Sequence, residues 1–455
     1  MPCISAKTNR TLKESQVKEK VLGLTAVLLK NLFPDGLAVP EGGLNPKRFC
    51  AKSNRRWIFL FSADPSMIRQ RHMEDTVYHE LADHLDQLPG GFPSTPDGVE
   101  LRILKRLFTE PEARLACQLT LIPETAQVVA YRCGIRGDSA AAMLAAMWQK
   151  GLILKHESER NVPRYMASQF VVGIWEFQVN RLTPELVADM AAYIPLLLDT
   201  GAWRRAPQMR TIPVNRSIDP KLPVLPHEAA TALISNKDNF VVSPCICRKE
   251  RRMAGHGCDG PLDTCISFGG AGSYFVQSGI GRPVDRQTVL ALLETADRSG
   301  LVLQPSNSRD PAWLCCCCGC CCGVLRTIKK YPKPAELMAA PFVARLDSGL
   351  CTGCGVCADR CQMDALSLLT KTVQLDRDRC IGCGLCVSTC PTGALRLTRK
   401  PRSAQPRVPA NMAAALLRTA WKRKKIGPFR AAMQLGRSQR DRYLAARRTK
   451  KDQHR

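Results

Sequence analysis

The sequence predicts an α+β protein built of several domains. Three observations predict it. Between residues 101 and 150 apolar residues recur at helical spacing, and two strand-like stretches follow before residue 168. Residues 240–325 mix short strand and helix patterns with a dense run of cysteine. Between residues 351 and 390 one cysteine pattern is written twice. At 455 residues the chain has room for roughly two to four domains that each bury a core. We divide it into residues 1–75, of unclear fold; a helical domain at 76–206; a proline-rich linker at 207–227; a cysteine-rich α/β region at 228–344; the duplicated segment at 345–400; and a basic tail at 401–455, helical or partly disordered.

Composition narrows the chemistry first. The 23 cysteines cluster tightly. Residues 1–20 are polar, with neither a continuous apolar stretch nor a twin-arginine opening, and no run of about 18 apolar residues occurs anywhere. These features predict a cytoplasmic location without a transmembrane segment, and thiols held by metal rather than paired as disulfides. The formal charge of +26 is local. Residues 399–455 hold most of the excess, with only Asp441 and Asp452 as acids.

Taking the elements in order, residues 21–29 are apolar and residues 57–61 (WIFLF) read as a buried strand. Cys3 and Cys50 are isolated and read as ordinary thiols. Residues 101–108 have helical spacing. Thr109-Glu110-Pro111-Glu112 starts the next helix, with an N-cap, a proline and an acid in the first turn. Residues 123–133 form a short helix ended by Gly134. Asp138 or Ser139 caps a third helix, which buries Met143, Leu144, Met147 and Trp148 and stops at Gly151. Residues 152–155 and 164–167 then read as two strands around a polar turn.

Three helices followed by a hairpin resemble a winged helix. That resemblance raises DNA binding, and the residues temper it. The third helix presents Ala140, Ala141, Ala142, Ala145 and Ala146, with Gln149 and Lys150 its late polar residues. Lys155, His156, Arg160 and Arg164 suit phosphate contact rather than base reading. The sequence therefore favours a docking or dimerisation module, with DNA an unfavoured partner. Beyond it, Trp175 and Phe177 read as core or interface, residues 182–198 as another helix, and His227 as a surface group.

The middle region opens with Cys245-x-Cys247, followed by Cys258 and Cys265. A helix over 285–299, capped by Asp285, and a strand at 301–303 lead to Cys315, Cys316, Cys317, Cys318, Cys320, Cys321 and Cys322 around Gly319. No packed core needs so many thiols in so short a run. Neighbouring side chains diverge, so these cysteines cannot all reach one centre. Some must bind metal with distant partners, and others must be spare. Thiolates this close repel by several kcal/mol at an interior-like dielectric, a cost that metal removes. We expect a further centre drawn from Cys245, Cys247, Cys258, Cys265, Cys315, Cys317, Cys318 and Cys321. An additional iron–sulfur cluster is favoured there over structural zinc or unmetallated redox thiols, and His256 is given a loop role.

The duplicated segment reads Cys351-x2-Cys354-x2-Cys357-x3-Cys361, then Cys380-x2-Cys383-x2-Cys386-x3-Cys390 followed by Pro391. Gly353 and Gly355 return as Gly382 and Gly384; Ala365, Leu366 and Leu368 return as Ala394, Leu395 and Leu397. Eight thiols at this spacing can hold two cubane [4Fe–4S] clusters. Zinc also uses Cys-x2-Cys pairs, but generally as two separated pairs. The segment resembles a bacterial-type dicluster ferredoxin domain. That resemblance implies a small pseudo-symmetric βαββαβ fold, with strand ends at 373–375 and 395–397. It also implies interleaved ligands: Cys351, Cys354, Cys357 and Cys390 for one cluster, and Cys380, Cys383, Cys386 and Cys361 for the other. One departure is Gln362 after Cys361, where that family usually has proline. On a larger scale residues 76–400 resemble multidomain 4Fe-4S dicluster proteins with a winged-helix-like part before a cysteine-rich part. The Gly-Ile-Trp-Glu-Phe-Gln run from Gly173, the Cys245/Cys247 pair and the Cys-Cys-Gly-Cys-Cys core around Gly319 carry that likeness.

Residues 401–409 read as a flexible linker. After it come an apolar stretch at 412–420 and the basic cluster Trp421-Lys422-Arg423-Lys424-Lys425. This pattern suits an acidic redox protein or an anionic membrane surface. No Walker loop occurs, and Gly269-Gly270-Ala271-Gly272 lacks the dinucleotide spacing. With no nucleophile–base set visible, we expect no catalytic site belonging to this chain alone. The expected function is single-electron transfer between redox partners. Two alternatives stand beside it: a redox-sensing DNA-binding regulator, and the electron-input subunit of a larger reductase.

Overall fold

A computed structural model of the chain describes residues 65–157, 162–198, 200–369, 371–425 and 428–453. The sequence readings at 21–29, 57–61, Cys3, Cys50 and Arg160 lie outside the described residues. The chain divides into two units, residues 1–76 with 428–440, and residues 77–427 with 441–455. The described part of the first unit is helical: the opening turns of α1 (Pro65–Asp86) and the first half of a C-terminal helix, Pro428–Gln453.

In the second unit, α2 (Val99–Leu107), α3 (Glu110–Ala116), β1 (Glu124–Thr125), α4 (Ala126–Cys133) and α5 (Gly137–Gln149) precede a hairpin of β2 (Ile153–Glu157) and β3 (Pro163–Ala167). β1 pairs along β3, giving the sheet order β1-β3-β2. Local signals in the sequence explain most boundaries. Thr109 and Glu112 close a capping box at the start of α3, with the Thr109 N–H donating to Glu112 Oε2 at 2.9 Å. Gly134, at φ 69°, ends α4. The start of α5 differs from expectation. Its N-cap is Arg136, and Asp138 lies in the first turn, where it accepts from the Arg136 guanidinium at 2.6 Å. An acid is as favourable inside the first turn as at the cap, so its presence alone does not settle the boundary.

This part is held by Val99, Ile103 and Leu104 of α2 against Val129, Leu144 and Met147, all buried. Phe92, Phe170 and Tyr193 pack tilted or edge-on with centroids 4.5, 5.0 and 6.0 Å apart. Trp175 and Phe177 are buried too, and Phe177 lies 4.6 Å from Tyr274. Thr183 caps α6 (Pro184–Leu197) by accepting from the Leu186 N–H at 3.3 Å.

The stretch read as a linker is not a solvated tether. Met209, Ile212 and Val214 are buried, and main-chain bridges join Met209 to Ser306, Arg210 to Ala339 and Ile212 to Leu303. Proline keeps such a segment extended, and its apolar residues give it something to bury. Next comes a five-stranded antiparallel sheet of β4 (Phe240–Pro244), β5 (Asp263–Ser267), β6 (Arg282–Val284), β7 (Val302–Pro305) and β8 (Trp313–Cys317), in the order β6-β4-β5-β8-β7. Between and after these strands lie α7 (Ile246–Met253), α8 (Gly269–Gln277), α9 (Arg286–Arg298) and α10 (Gly323–Ile328). Asp285 caps α9, accepting from the Thr288 N–H at 2.7 Å.

In the duplicated segment β9 (Phe342–Leu346) pairs with β12 (Leu395–Arg399), and β10 (Leu366–Leu369) with β11 (Thr372–Leu375), both antiparallel. β9 begins at Phe342, upstream of the boundary expected at 345. The first copy has a helical turn, Val356–Asp359, while residues 385–389 of the second are a run of turns. There the Ser388 and Thr389 hydroxyls donate to the Leu385 carbonyl at 3.2 and 3.1 Å and compete with a regular ladder.

Candidate metal centres

The eight cysteines of the duplicated segment sort into two cavities. Cys351, Cys354, Cys357 and Cys390 line one, with Leu346 and Val373. Cys361, Cys380, Cys383 and Cys386 line the other, with Met363 and Ile381. The fourth cysteine of each copy thus crosses to the loop of the other. Main-chain donors already face sulfur: the Ala365 N–H lies 3.2 Å from Cys361 Sγ, and the Ala344 N–H 3.4 Å from Cys380 Sγ. Gly353 and Gly382 hold left-handed conformations at φ 69° and 66°. A Cβ on Gly382 would overlap the Phe342 carbonyl, and one on Gly353 the Lys371 carbonyl.

The two cavities differ in exposure. Cys354 is exposed. Cys390 is lowered from its usual range: burial opposes this, but the Thr392 hydroxyl and nearby main-chain N–H groups favour the thiolate. Burial pushes Cys383 up to about 12, and raises Cys386 as well. Thiols so enclosed ionise when a cation holds them.

In the middle region the Sγ atoms of Cys258, Cys318, Cys320 and Cys321 all lie within 4.8 Å of one another. Cys258 is 3.8 Å from Cys318 and 3.7 Å from Cys321, and Cys320 is 3.8 Å from Cys321. A tetrahedral ion with metal–sulfur bonds of about 2.3 Å sets its sulfurs about 3.8 Å apart. The quartet therefore fits one ion, not the corners of a cube. Cys258 comes from the loop after α7, and the other three from the turn after β8. Its thiol is lowered to about 7: burial opposes this, but the Gly260 N–H and the neighbouring thiols prevail. The guanidinium of Arg248 is buried beside the quartet, with Nη2 3.5 Å from Cys318 Sγ and Nη1 donating to Thr264 Oγ1 at 2.9 Å. Burial alone would lower Arg248; the Cys245 and Cys318 sulfurs outweigh it and raise it.

The cysteines expected at the middle centre are arranged as follows. Cys258, Cys318 and Cys321 come together with Cys320, which was not among the expected ligands. Cys245, Cys247, Cys265, Cys315 and Cys317 line a cavity together with Cys322, and Cys318 and Cys321 of the quartet border the same cavity. The spacing of Cys318, Cys320 and Cys321 around one glycine was the available signal for the quartet. His256 is exposed in a loop, as expected.

The middle region and the duplicated segment meet through several contacts, among them Arg360 with Asp297, Lys329 with Asp364, and Gly319 with Gln362. The Gly319 N–H donates to Gln362 Oε1 at 2.6 Å, and a Cβ on Gly319 would overlap the Gln362 carbonyl. The residue that departs from the resembled pattern is thus the one that touches the cysteine-rich turn.

A family model described as a 4Fe-4S dicluster domain matches residues 339–394. This is a ferredoxin-type iron–sulfur segment. The match opens just before β9, and covers all eight cysteines of the duplication. No curated protein and no solved structure matches the chain. Among the described residues no helix is long and apolar enough to cross a membrane.

Proposed function

We propose that this chain is an electron-transfer protein that holds two [4Fe–4S] clusters, one on Cys351, Cys354, Cys357 and Cys390 and one on Cys380, Cys383, Cys386 and Cys361. A single metal ion sits on Cys258, Cys318, Cys320 and Cys321. The observation that carries the reading is the sorting of eight cysteines into two cavities, each completed by the fourth cysteine of the opposite copy. The bound clusters supply one-electron chemistry.

The chain's own residues decide orientation. Exposed Cys354 marks the end open to a redox partner. The other cavity faces inward: Met363, Ile381 and Leu385 join the core of the middle region, and the Val214 N–H donates to the Cys383 carbonyl at 3.0 Å. In the basic cluster Arg423 and Lys425 pair with Asp86, while Trp421, Lys422 and Lys424 are exposed. That surface suits an acidic redox protein. The helices and hairpin at 110–167, which we read as a winged-helix unit, support docking better than DNA reading. Lys150 pairs with Glu112 at 2.7 Å, and Lys155 sits 3.8 Å over the Trp148 ring.

Anaerobically purified full-length protein should contain about eight iron atoms and about eight acid-labile sulfides attributable to residues 345–400, with the EPR of two interacting clusters on reduction. Zinc in these positions with no labile sulfide would overturn the reading. Cys383→Ser should remove the iron of one cluster and spare the quartet. Cys320→Ser, at the exposed edge of the quartet, should release one metal ion and no sulfide. Metal analysis of the two variants side by side checks both.

A further inference from the structure

With the quartet set aside, six cysteines of the middle region form a row of neighbouring thiols on one cavity. Cys265 meets Cys315, Cys315 meets Cys317, Cys317 meets Cys322, Cys322 meets Cys247, and Cys247 meets Cys245. Separate pieces of the fold deliver them. Cys265 on β5 stands opposite Cys315 on β8 in the sheet register. Cys315 and Cys317 lie two apart on one strand and so share a face, while Cys316 between them points to the other. Cys245 precedes α7, Cys247 lies in its first turn, and Cys322 is the N-cap of α10.

All six line one cavity of about 170 Å³, whose remaining wall is largely apolar, with Trp175, Ile194 and Phe275 among its residues. Three simpler explanations fail. None of the six forms a disulfide. A single ion requires four sulfurs close to one another, and among the described residues only the quartet meets that requirement. Ordinary packing does not explain so many thiols around one open space, which Cys316, Cys318 and Cys321 border as well. The volume also far exceeds that of one ion.

We propose that this cavity is a second metal site of the middle region, bordering the quartet, and that it holds a polynuclear iron–sulfide centre on Cys245, Cys247, Cys265, Cys315, Cys317 and Cys322. Several cations and bridging sulfides span a row of sulfurs that cannot converge on a point, and they neutralise thiolates crowded into one space. The site shares one turn with the quartet, since Cys317 and Cys322 flank Cys318 and Cys321. That turn reaches the duplicated segment through Gly319 and Gln362. The choice of iron and sulfide rests on the proposed function; the position of the site does not.

The test is iron, acid-labile sulfide and EPR of the full-length chain and four variants, all purified without oxygen. Cys265→Ser and Cys322→Ser should each lose iron together with labile sulfide while keeping the ferredoxin signals. Cys117→Ala, outside the cavity, should keep the wild-type content, and Cys320→Ser should lose one ion and no sulfide. The proposal fails if both Cys265→Ser and Cys322→Ser retain wild-type iron and sulfide. It fails equally if both lose the ferredoxin signals as well, since the site would then not be separate. Wild-type protein lacking the ferredoxin signals, but with iron and sulfide removed by Cys265→Ser, would sink the proposed function and leave this site standing.

Discussion

Replacing Gly319 with alanine should unseat the cysteine-rich turn from the duplicated segment. The added Cβ meets the main-chain carbonyl of Gln362, which cannot swing aside as a side chain would. One backbone must shift, and the hydrogen bond from the Gly319 N–H to Gln362 Oε1 goes with it. Overpacking of this kind costs about 1–3 kcal/mol. The strain falls between Cys318 and Cys320, so the quartet should lose its metal before either ferredoxin cavity does. A complementary change is Gln362→Pro, which restores the residue usual in the resembled family. It removes the acceptor of a buried N–H, at a cost of about 1–3 kcal/mol. Gln362→Glu keeps an acceptor and should stay near wild type. Denaturant unfolding and metal content check all three, and an unchanged Gly319→Ala protein would refute the contact.

The legible features were those whose signal and consequence lie within a few residues. Thr109 with Glu112, Asp285 with Thr288, and Gly134 each act inside one helical turn, and each marks the element end it was expected to mark. The duplicated cysteines were legible for a related reason. Two copies of one spacing constrain each other, and they define the segment that the family model matches. The middle region was legible only as a concentration of sulfur. Which thiols meet depends on strand register, and nothing local states that Cys265 will stand opposite Cys315, fifty residues away. Strand alternation could have separated Cys316 from its neighbours, had β8 been recognised as a strand running into the cysteine run. The proline-rich stretch was opaque because proline reports an extended backbone, not whether that backbone is solvated or, as at Met209 and Ile212, bridged to other segments. The tail was misleading through its net charge, which conceals the few groups that are buried.

Replacing Arg132 with leucine is expected to be the most destabilising single change among the ion pairs. Its guanidinium meets Glu124 through two bonds of 2.9 Å, Asp441 at 2.9 Å and the Gln118 carbonyl at 2.6 Å. The side chains of the three charged partners are 4%, 0% and 3% exposed. Removing the cation takes a shared counter-charge from two buried carboxylates, which costs about 3–5 kcal/mol. Asp441→Asn should cost less, roughly 1–2 kcal/mol, because Glu124 still satisfies the guanidinium. The triple variant Arg132→Leu, Glu124→Leu, Asp441→Leu should recover much of the loss, since an apolar trio avoids the desolvation that the charged trio endures. Asp441 is one of only two acids beyond residue 398, and it anchors the second half of the C-terminal helix to α4, with Arg442 beside it donating to the Pro123 carbonyl at 3.0 Å. A strongly basic segment thus attaches in part through its scarce negative charge. Equal unfolding midpoints for Arg132→Leu and wild type would remove that anchor from the account.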